Sequence, residues 1–372
     1  MALKNLLFST YLTLVLLLTA CSPEPHLIGV KPKTSQEQLK QTPKKVRILI
    51  ATTRASSDEE GVFYSSERAD QLNFATVNVS IPIAHQTGRV ELPSPPPPDP
   101  EKHLVLGDAE RLKGSDQFLQ EVRKELQVRQ RGSRTALLFI HGYNTNMTEA
   151  VARFAQLVED SGFRGVPILF SWPSNRRTID YVSDINSAAI SRDALAEFAI
   201  LMSSINIEGV DILAHSMGNF LAMETFRTMA LSGGFDRLNR LQHIVLASPD
   251  IDIELFKRQL SVISPKQREK MVVLISRDDK ALRISQRISG GTPRVGAIDP
   301  EELAPLGVTV VDLTEVNDTN SANHTKFANS PEIVRILGER LAESDTLSTS
   351  TTTKGLVLQK AGGIVEIFKP PS

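Results

Sequence analysis

The chain has 372 residues, enough for two average domains or for one large one. Its 42 Lys and Arg are balanced by 43 Asp and Glu, and the formal net charge of -1 excludes a general attraction for nucleic acid or an anionic membrane surface. A hydrophobic fraction of 41% is typical of an ordinary globular protein and leaves the substrate or ligand open.

The first residues, MALKNLLFSTYLTLVLLLTAC, have the layout of a signal peptide. One Lys precedes an apolar run over residues 6–18, which is too short for a comfortable membrane span. Residues 18–21, Leu-Thr-Ala-Cys, resemble the lipobox of bacterial lipoproteins, in which the cysteine becomes lipidated. Cys21 is the only cysteine, which excludes an intrachain disulfide and a cysteine metal site. We expect a signal peptide over 1–20 and a protein of the bacterial cell envelope, anchored to the membrane through Cys21; the alternative is an unmodified thiol.

Both ends of the chain differ in composition from its centre. Residues 21–45 are polar and proline-containing, and we interpret them as a tether between the lipid and a domain over 46–344. Residues 345–372 lack a clear period and predict a flexible tail, in which residues 363–368 could add a short strand.

Short apolar runs alternate with helical stripes in the central part of the chain. Such runs, separated by helices, are typical of a parallel sheet covered on both faces, so we predict an α/β fold with a mostly parallel central sheet. The first two strands lack a long helix between them and suit antiparallel edges. The predicted strands are residues 46–52, 75–81, 135–140, 166–170, 210–213, 243–247, 271–275 and 308–313. The predicted helices are residues 148–159, 187–204, 217–229, 253–260 and 281–287.

The stretch VDILAHSMGNFLAM places Ser216 between a buried strand and a helix. A nucleophilic serine on a tight strand-to-helix turn needs small neighbours, which Ala214 and Gly218 provide. At a helix N-terminus the amide of Met217 is positioned to donate to a developing oxyanion. The alternative is a serine that only caps the helix.

A second oxyanion donor is expected in the loop after an earlier strand, LLFIHGYNTN. Gly142 permits the backbone to turn, and the amide of Tyr143 is the predicted donor. A strand-to-helix turn with a packed histidine would give the same pattern, and we interpret His141 as structural.

A neutral serine needs a base, which is usually a histidine held by a carboxylate. In a sheet of this kind the chain order is nucleophile, acid, base, and only His243 and His324 follow Ser216. His243 opens a buried strand, whereas His324 lies in a polar loop after the last strand and is the predicted base. The acid should lie between the serine and the base. Asp278 and Asp279 follow the predicted strand over residues 271–275, and of the two we favour Asp279. Other carboxylates at strand ends are Asp250 and Asp252, the fallback, and Asp312, which is less suited.

Other residues add less. Trp172, the only tryptophan, ends a strand that should open onto the site and is expected either to line the substrate pocket or to pack. The sequence has no metal-ligand spacing, dinucleotide fingerprint or phosphate loop, so we expect no metal and no cofactor.

The motifs HGYN, AHSMGN, SRDDKAL and NHTKF resemble, in this order, those of an α/β-hydrolase. Longer stretches, among them ATTRASSDEEGVFYSSER and LASPDIDIELF, resemble its uncharacterised bacterial esterase/lipase-like branch. The resemblance covers residues 46–341. The sequence departs from the family's pattern at Ala214, which stands where the serine motif of the family begins with glycine. It implies Ser216 as nucleophile, Asp279 as acid and His324 as base, with an oxyanion hole formed by the amides of Tyr143 and Met217.

The expected activity is cleavage of a carboxylic ester, or a related acyl bond, through an acyl-enzyme. Residues 248–270 leave little room for a large lid between two core strands. The expected partner is a small-molecule or lipid-derived acyl ester. Two alternatives stay open: transfer of the acyl group to an acceptor other than water, and a non-catalytic envelope lipoprotein that uses the fold for interactions.

Overall fold

The computed structural model describes residues 25–35, 39, 41–175, 180–318, 322–330, 333–334, 356–360 and 363–370. The strands of this part of the chain form one sheet, in the order β10-β11-β9-β8-β7-β6-β4-β5-β1-β2-β3. Their bounds are β1 Lys45–Ser56, β2 Tyr64–Ser80, β3 Val105–Leu112, β4 Thr135–Ile140, β5 Val166–Ser171, β6 Gly209–His215, β7 Leu241–Ala247, β8 Met271–Ile275, β9 Thr309–Asp312, β10 Leu356–Lys360 and β11 Gly363–Phe368.

Helices follow most of the central strands. They are α1 Ser115–Gln127, α2 Met147–Ser161, α3 Tyr181–Ser203, α4 Met217–Leu231, α5 Ile253–Ser261, α6 Pro265–Arg268, α7 Lys280–Ile288, α8 Pro300–Leu303 and α9 Lys326–Asn329. In the described ranges, none of these helices combines the length and apolar character needed to cross a membrane.

The centre of the sheet is parallel from β1 through β5, β4, β6, β7 and β8 to β9. At one edge β2 and β3 are antiparallel, and at the other β11 and β10 are antiparallel. The predicted mostly parallel sheet is therefore confirmed. Of the two first strands, β2 lies on the antiparallel side as predicted. β1 pairs antiparallel with β2 but parallel with β5, so the prediction that it is an antiparallel edge strand is wrong. Between β7 and β8 the chain forms only α5 and the short α6, which agrees with the absence of a large lid at that connection.

Two apolar cores lie on opposite faces of the sheet, because side chains alternate along each strand. In β4, Leu138 and Ile140 join the core under α1, α3, α4 and α5, while Leu137 and Phe139 join the core under α2. Both faces of the strand are buried, which explains the continuous apolar run TALLFI. Because the central strands are parallel, their carboxyl ends lie along the same end of the sheet, between the helices of the two faces.

The structure adds detail to the predicted segments at both ends of the domain. Leu27 and Ile28 belong to the predicted tether, yet both are buried, and the Ile28 amide donates to the Gly61 carbonyl at 3.0 Å. Within the predicted tail, β11 coincides with the short strand that the sequence allows at residues 363–368. It pairs with β9, and β10 pairs with β11, so this part extends the sheet. The predicted signal peptide and Cys21 lie outside the described residues.

We predict that Phe118→Ala destabilises the domain by about 3–5 kcal/mol, because it opens a cavity in the core that joins α1 to the sheet. Phe118 is fully buried, with its ring centroid 4.8 Å from that of Phe74 and 5.6 Å from that of Phe198. Chemical unfolding measures the change. Val128→Ala, at a side chain that is 81% exposed, is the control and should change stability by less than about 0.5 kcal/mol. Equal losses in both variants would contradict this packing.

Candidate active site

Ser216 lies at the sharp turn between β6 and α4. Its backbone has φ 52° and ψ −123°, a conformation that a non-glycine residue adopts at a cost of about 1–3 kcal/mol. Several hydrogen bonds hold it there. The Ser216 amide donates to the Ala247 carbonyl at 3.0 Å, and the Ser216 carbonyl accepts the Asn219 side-chain amide at 3.1 Å and the Asp250 amide at 3.3 Å. This strained geometry, at the end of a strand and the start of a helix, is that of a nucleophile elbow; Ser216 itself is 5% exposed.

Close backbone contacts explain the small residues around Ser216. A Cβ atom at Gly218 would lie 2.4 Å from the carbonyl oxygen of His141, so α4 starts directly against the end of β4. A Cβ at Gly142 would lie 2.9 Å from Cβ of Ser216. Ala214 is fully buried at the same crossing. The loop after β4 is therefore packed against the serine.

His324 and Asp279 meet as the sequence predicts. The imidazole Nδ1 lies 2.6 Å from Oδ2 of Asp279, and Asp279 Oδ1 accepts the Leu282 amide at 3.0 Å as the cap of α7. Asp279 is fully buried. The contact of one carboxylate oxygen with the imidazole and of the other with the Leu282 amide fixes its orientation. Burial by itself lowers the pKa of His324, but the charge and hydrogen bond of Asp279 outweigh it and raise that pKa.

Asp278 has a different contact set. Its carboxylate accepts hydrogen bonds from Lys326 Nζ at 2.8 Å and from the Asn323 side-chain amide at 2.8 Å. Lys326 is buried and also donates to the Thr314 carbonyl at 2.8 Å. Asp278 thus ties the loop that carries His324 to the end of β8. Of the two neighbouring carboxylates, Asp279 is the one that reaches the imidazole.

His215 supports His324 from the serine side, a role that the sequence analysis did not assign. The two ring centroids are 4.8 Å apart, and His215 Nε2 lies 3.3 Å from the His324 carbonyl oxygen. Burial keeps the pKa of His215 well below its ordinary value, so the ring is neutral and donates this hydrogen bond. Because His215 precedes Ser216, this contact joins the serine turn to the histidine loop.

The predicted oxyanion donors lie on either side of this crossing. Met217 is the first residue of α4, so its amide has no acceptor within the helix. Tyr143 follows Gly142, the residue in contact with Ser216, and its ring lies edge-on to that of Tyr181 at 5.3 Å. The arrangement brings both backbone segments to the serine.

Trp172 differs from one of the two expectations for it. The indole is fully buried and stacks on the His141 ring at 5.3 Å, and Nε1 donates to the His141 carbonyl at 2.9 Å. A side chain with no exposed surface does not line a substrate pocket. The prediction of a pocket-lining role is corrected to packing beneath the loop after β4.

The alternative acids and base have other partners. His243 Nδ1 lies 2.8 Å from an Asp211 oxygen, at the far end of the sheet. Asp252 caps α5 through the Glu254 amide at 2.9 Å. The remaining carboxylates contact other side chains: Asp312 is paired with Arg277, and Asp250 accepts from Tyr181 and Ser285. Within the described ranges, no group of three or more His, Cys, Asp or Glu side chains could hold a metal ion.

Comparisons with known proteins extend these observations. The chain is similar to an esterase of Pyrobaculum calidifontis, at 13% identity over 61% of this chain and 89% of that one, with a TM-score of 0.33. A structure described as one of two fungal esterases from Rhizomucor miehei aligns at 10% identity over 81% of this chain and 82% of that one, with a TM-score of 0.33. No match is found among curated proteins.

A family model gives the assignment. The model described as "Alpha/beta hydrolase of unknown function (DUF900)" matches residues 115–340, which include the turn at Ser216, the carboxylate of Asp279 and the loop of His324. The matched range covers more than half of the chain. The sheet order and the helices on both faces agree with this family's fold. The chain therefore belongs to this family of α/β-hydrolases.

Proposed function

We propose that the protein is a serine hydrolase that cleaves a carboxylic ester through Ser216, His324 and Asp279. The observation that carries the proposal is the 2.6 Å contact between His324 Nδ1 and Asp279, on a loop that contacts the strained serine turn through His215. A serine that only caps α4 would not need an imidazole held by a buried carboxylate on the loop that contacts its turn. The chemistry is therefore assigned to these three side chains.

The proposed reaction proceeds in two steps. Asp279 accepts a hydrogen bond from the Nδ1–H of His324, which leaves Nε2 as the base that takes the proton of the Ser216 hydroxyl. The serine oxygen adds to the ester carbonyl, the C–O bond to the alcohol breaks, and His324 returns the proton to the departing alcohol. Water then attacks the acyl-enzyme, with His324 again taking and returning one proton, and releases the acid.

Charge develops on the carbonyl oxygen in both steps. The amides of Tyr143 and Met217 are the proposed donors to this oxyanion. One such donor contributes about 10²–10³-fold in kcat in a comparable enzyme, so the two amides are central to the proposed rate.

We also propose that the protein is an exported lipoprotein of the bacterial envelope, anchored through Cys21. The buried Leu27, whose amide donates to Thr148 Oγ1 at 3.1 Å, supports a short anchor. An extended chain from Cys21 to Leu27 spans at most about 20 Å. A lipid at Cys21 would keep the hydrolase domain within this distance of the bilayer, in reach of a lipid-derived ester.

For the proposed function, the first prediction concerns the nucleophile and base. A fluorophosphonate probe should label the wild-type chain at Ser216, whereas Ser216→Ala should not label and should lose about 10⁶-fold in ester turnover. His324→Ala should label far more slowly, because no base activates the hydroxyl. The measurement is mass spectrometry of the labelled chain together with hydrolysis of p-nitrophenyl esters. Wild-type labelling at another residue would overturn the proposal.

The second prediction separates the two carboxylates. Asp279→Asn should lower kcat by about 10³–10⁴-fold with little loss of stability, because the imidazole loses its orienting acceptor. Asp278→Asn should lower the melting temperature, because the buried Lys326 loses its charged partner, and should retain more activity below the transition.

The pH profile gives a further check on this pair. His324 must be neutral to act as base, so kcat/KM of the wild type should fall as the pH is lowered through a pKa raised above 6.5. In Asp279→Asn the carboxylate that raises this pKa is gone, and the acid limb should move to lower pH. Asp278→Asn should leave the limb in place. The opposite pattern would make Asp278 the acid.

The third prediction concerns the anchor. In a bacterial host the full chain should incorporate labelled palmitate and sediment with membranes, whereas Cys21→Ser should do neither. Incorporation of label into Cys21→Ser would contradict the proposed lipidation site.

A further inference from the structure

Arg54 is a fully buried guanidinium at the end of β1, within the ATTR stretch that the proposed mechanism does not use. Its Nε donates to Ser171 Oγ at 2.9 Å, and its NH2 donates to the Thr145 carbonyl at 2.7 Å. NH1 lies against the carbonyls of Ser65 and Ser174 at 3.1 and 3.3 Å. Burying a charge is costly unless its donors are satisfied. The hydrogen bonds of Arg54 lower this cost, but they do not explain why a charged residue is buried here.

The contact to Ser171 continues into His141. Ser171 Oγ lies 3.0 Å from His141 Nε2, the Trp172 amide donates to the same nitrogen at 3.2 Å, and His141 Nδ1 lies 2.9 Å from the Gly142 carbonyl oxygen. Nε2 therefore accepts and Nδ1 carries the hydrogen. Since Arg54 donates to the Ser171 oxygen, the hydroxyl hydrogen is left to point at Nε2. The donor and the acceptor are thus known for each hydrogen bond that links Arg54 to the Gly142 carbonyl.

The Gly142 carbonyl, where this series of hydrogen bonds ends, belongs to the peptide unit that carries the proposed oxyanion donor. The C=O of Gly142 and the N–H of Tyr143 lie in one rigid plane and point in opposite directions in a trans peptide. Whatever fixes the Gly142 carbonyl therefore fixes the Tyr143 amide. We propose that Arg54, Ser171 and His141 form a relay that aims the Tyr143 N–H at the oxyanion.

This inference rests on the proposed function, because it gives the three side chains a positioning role in that same site. Two observations agree with it. Burial, together with the charge of Arg54, lowers the pKa of His141 to about 3, so the ring stays neutral and keeps its Nδ1 hydrogen across the working pH range. Arg54 also holds the other end of the loop through the Thr145 carbonyl, just before α2.

The test compares two buried serines in the full chain. Ser171→Ala cuts the relay between Arg54 and His141. Ser191→Ala is the matched control, because Ser191 is equally buried and its hydroxyl contacts Thr53, the neighbour of Arg54, at 2.8 Å, outside the relay. His141→Phe removes the donor to Gly142, and His141→Asn keeps an N–H near the position of Nδ1. The readouts are kcat and KM for a p-nitrophenyl ester, the rate of fluorophosphonate labelling at Ser216, and the melting temperature.

The relay predicts a loss in kcat with KM nearly unchanged, because the oxyanion forms only in the transition state. Ser171→Ala should lose about tenfold and His141→Phe about 10²-fold, with a parallel fall in labelling rate, whereas His141→Asn should recover most of the loss. Ser191→Ala should match the wild type in kcat. If Ser171→Ala and His141→Phe lower kcat no more than Ser191→Ala does, or change KM alone, the relay is wrong while the proposed hydrolase stands. A wild type that neither hydrolyses the ester nor labels at Ser216 overturns both.

Discussion

The backbone of Ser216 is the constraint on which the rest of the site depends. Its positive φ is unfavourable for serine, and it persists because β6, β7 and α4 hold the residue through the Ala247 carbonyl and the Asn219 side chain. The same turn forces α4 against the end of β4, where only Gly218 fits. The strained turn thus lies where β4, β6, α4 and the loop after β4 meet.

At each of three segments around this site, two neighbouring residues have different roles. Asp279 contacts the imidazole while Asp278 anchors the loop through Lys326. Ser216 occupies the turn while His215 holds the His324 backbone. Gly142 lies against the serine, and His141 beside it turns its side chain to the buried contacts of β5. In each pair one residue faces the proposed chemistry and the other connects its loop to the fold.

The sequence was sufficient where periodicity and chain order carry the information. The apolar runs of the parallel strands are continuous because both faces are buried, and Asp279 and His324 could be paired from their places after β8 and β9. The edge strand β3, which alternates only weakly, and α1 were not predicted. The role of Arg54 also escaped prediction: its partners Ser171 and Thr145 come from distant segments, so no local spacing marks them. The one available signal was a charged residue two positions beyond the predicted apolar strand over residues 46–52.

A crystal structure of the chain covalently labelled by a phosphonate tests the central claim most directly. We expect phosphorus bonded to Ser216 Oγ and a phosphonyl oxygen within about 3 Å of the amides of Tyr143 and Met217, with His324 Nε2 facing the leaving-group side. A label on another residue, or a phosphonyl oxygen directed away from both amides, would contradict it.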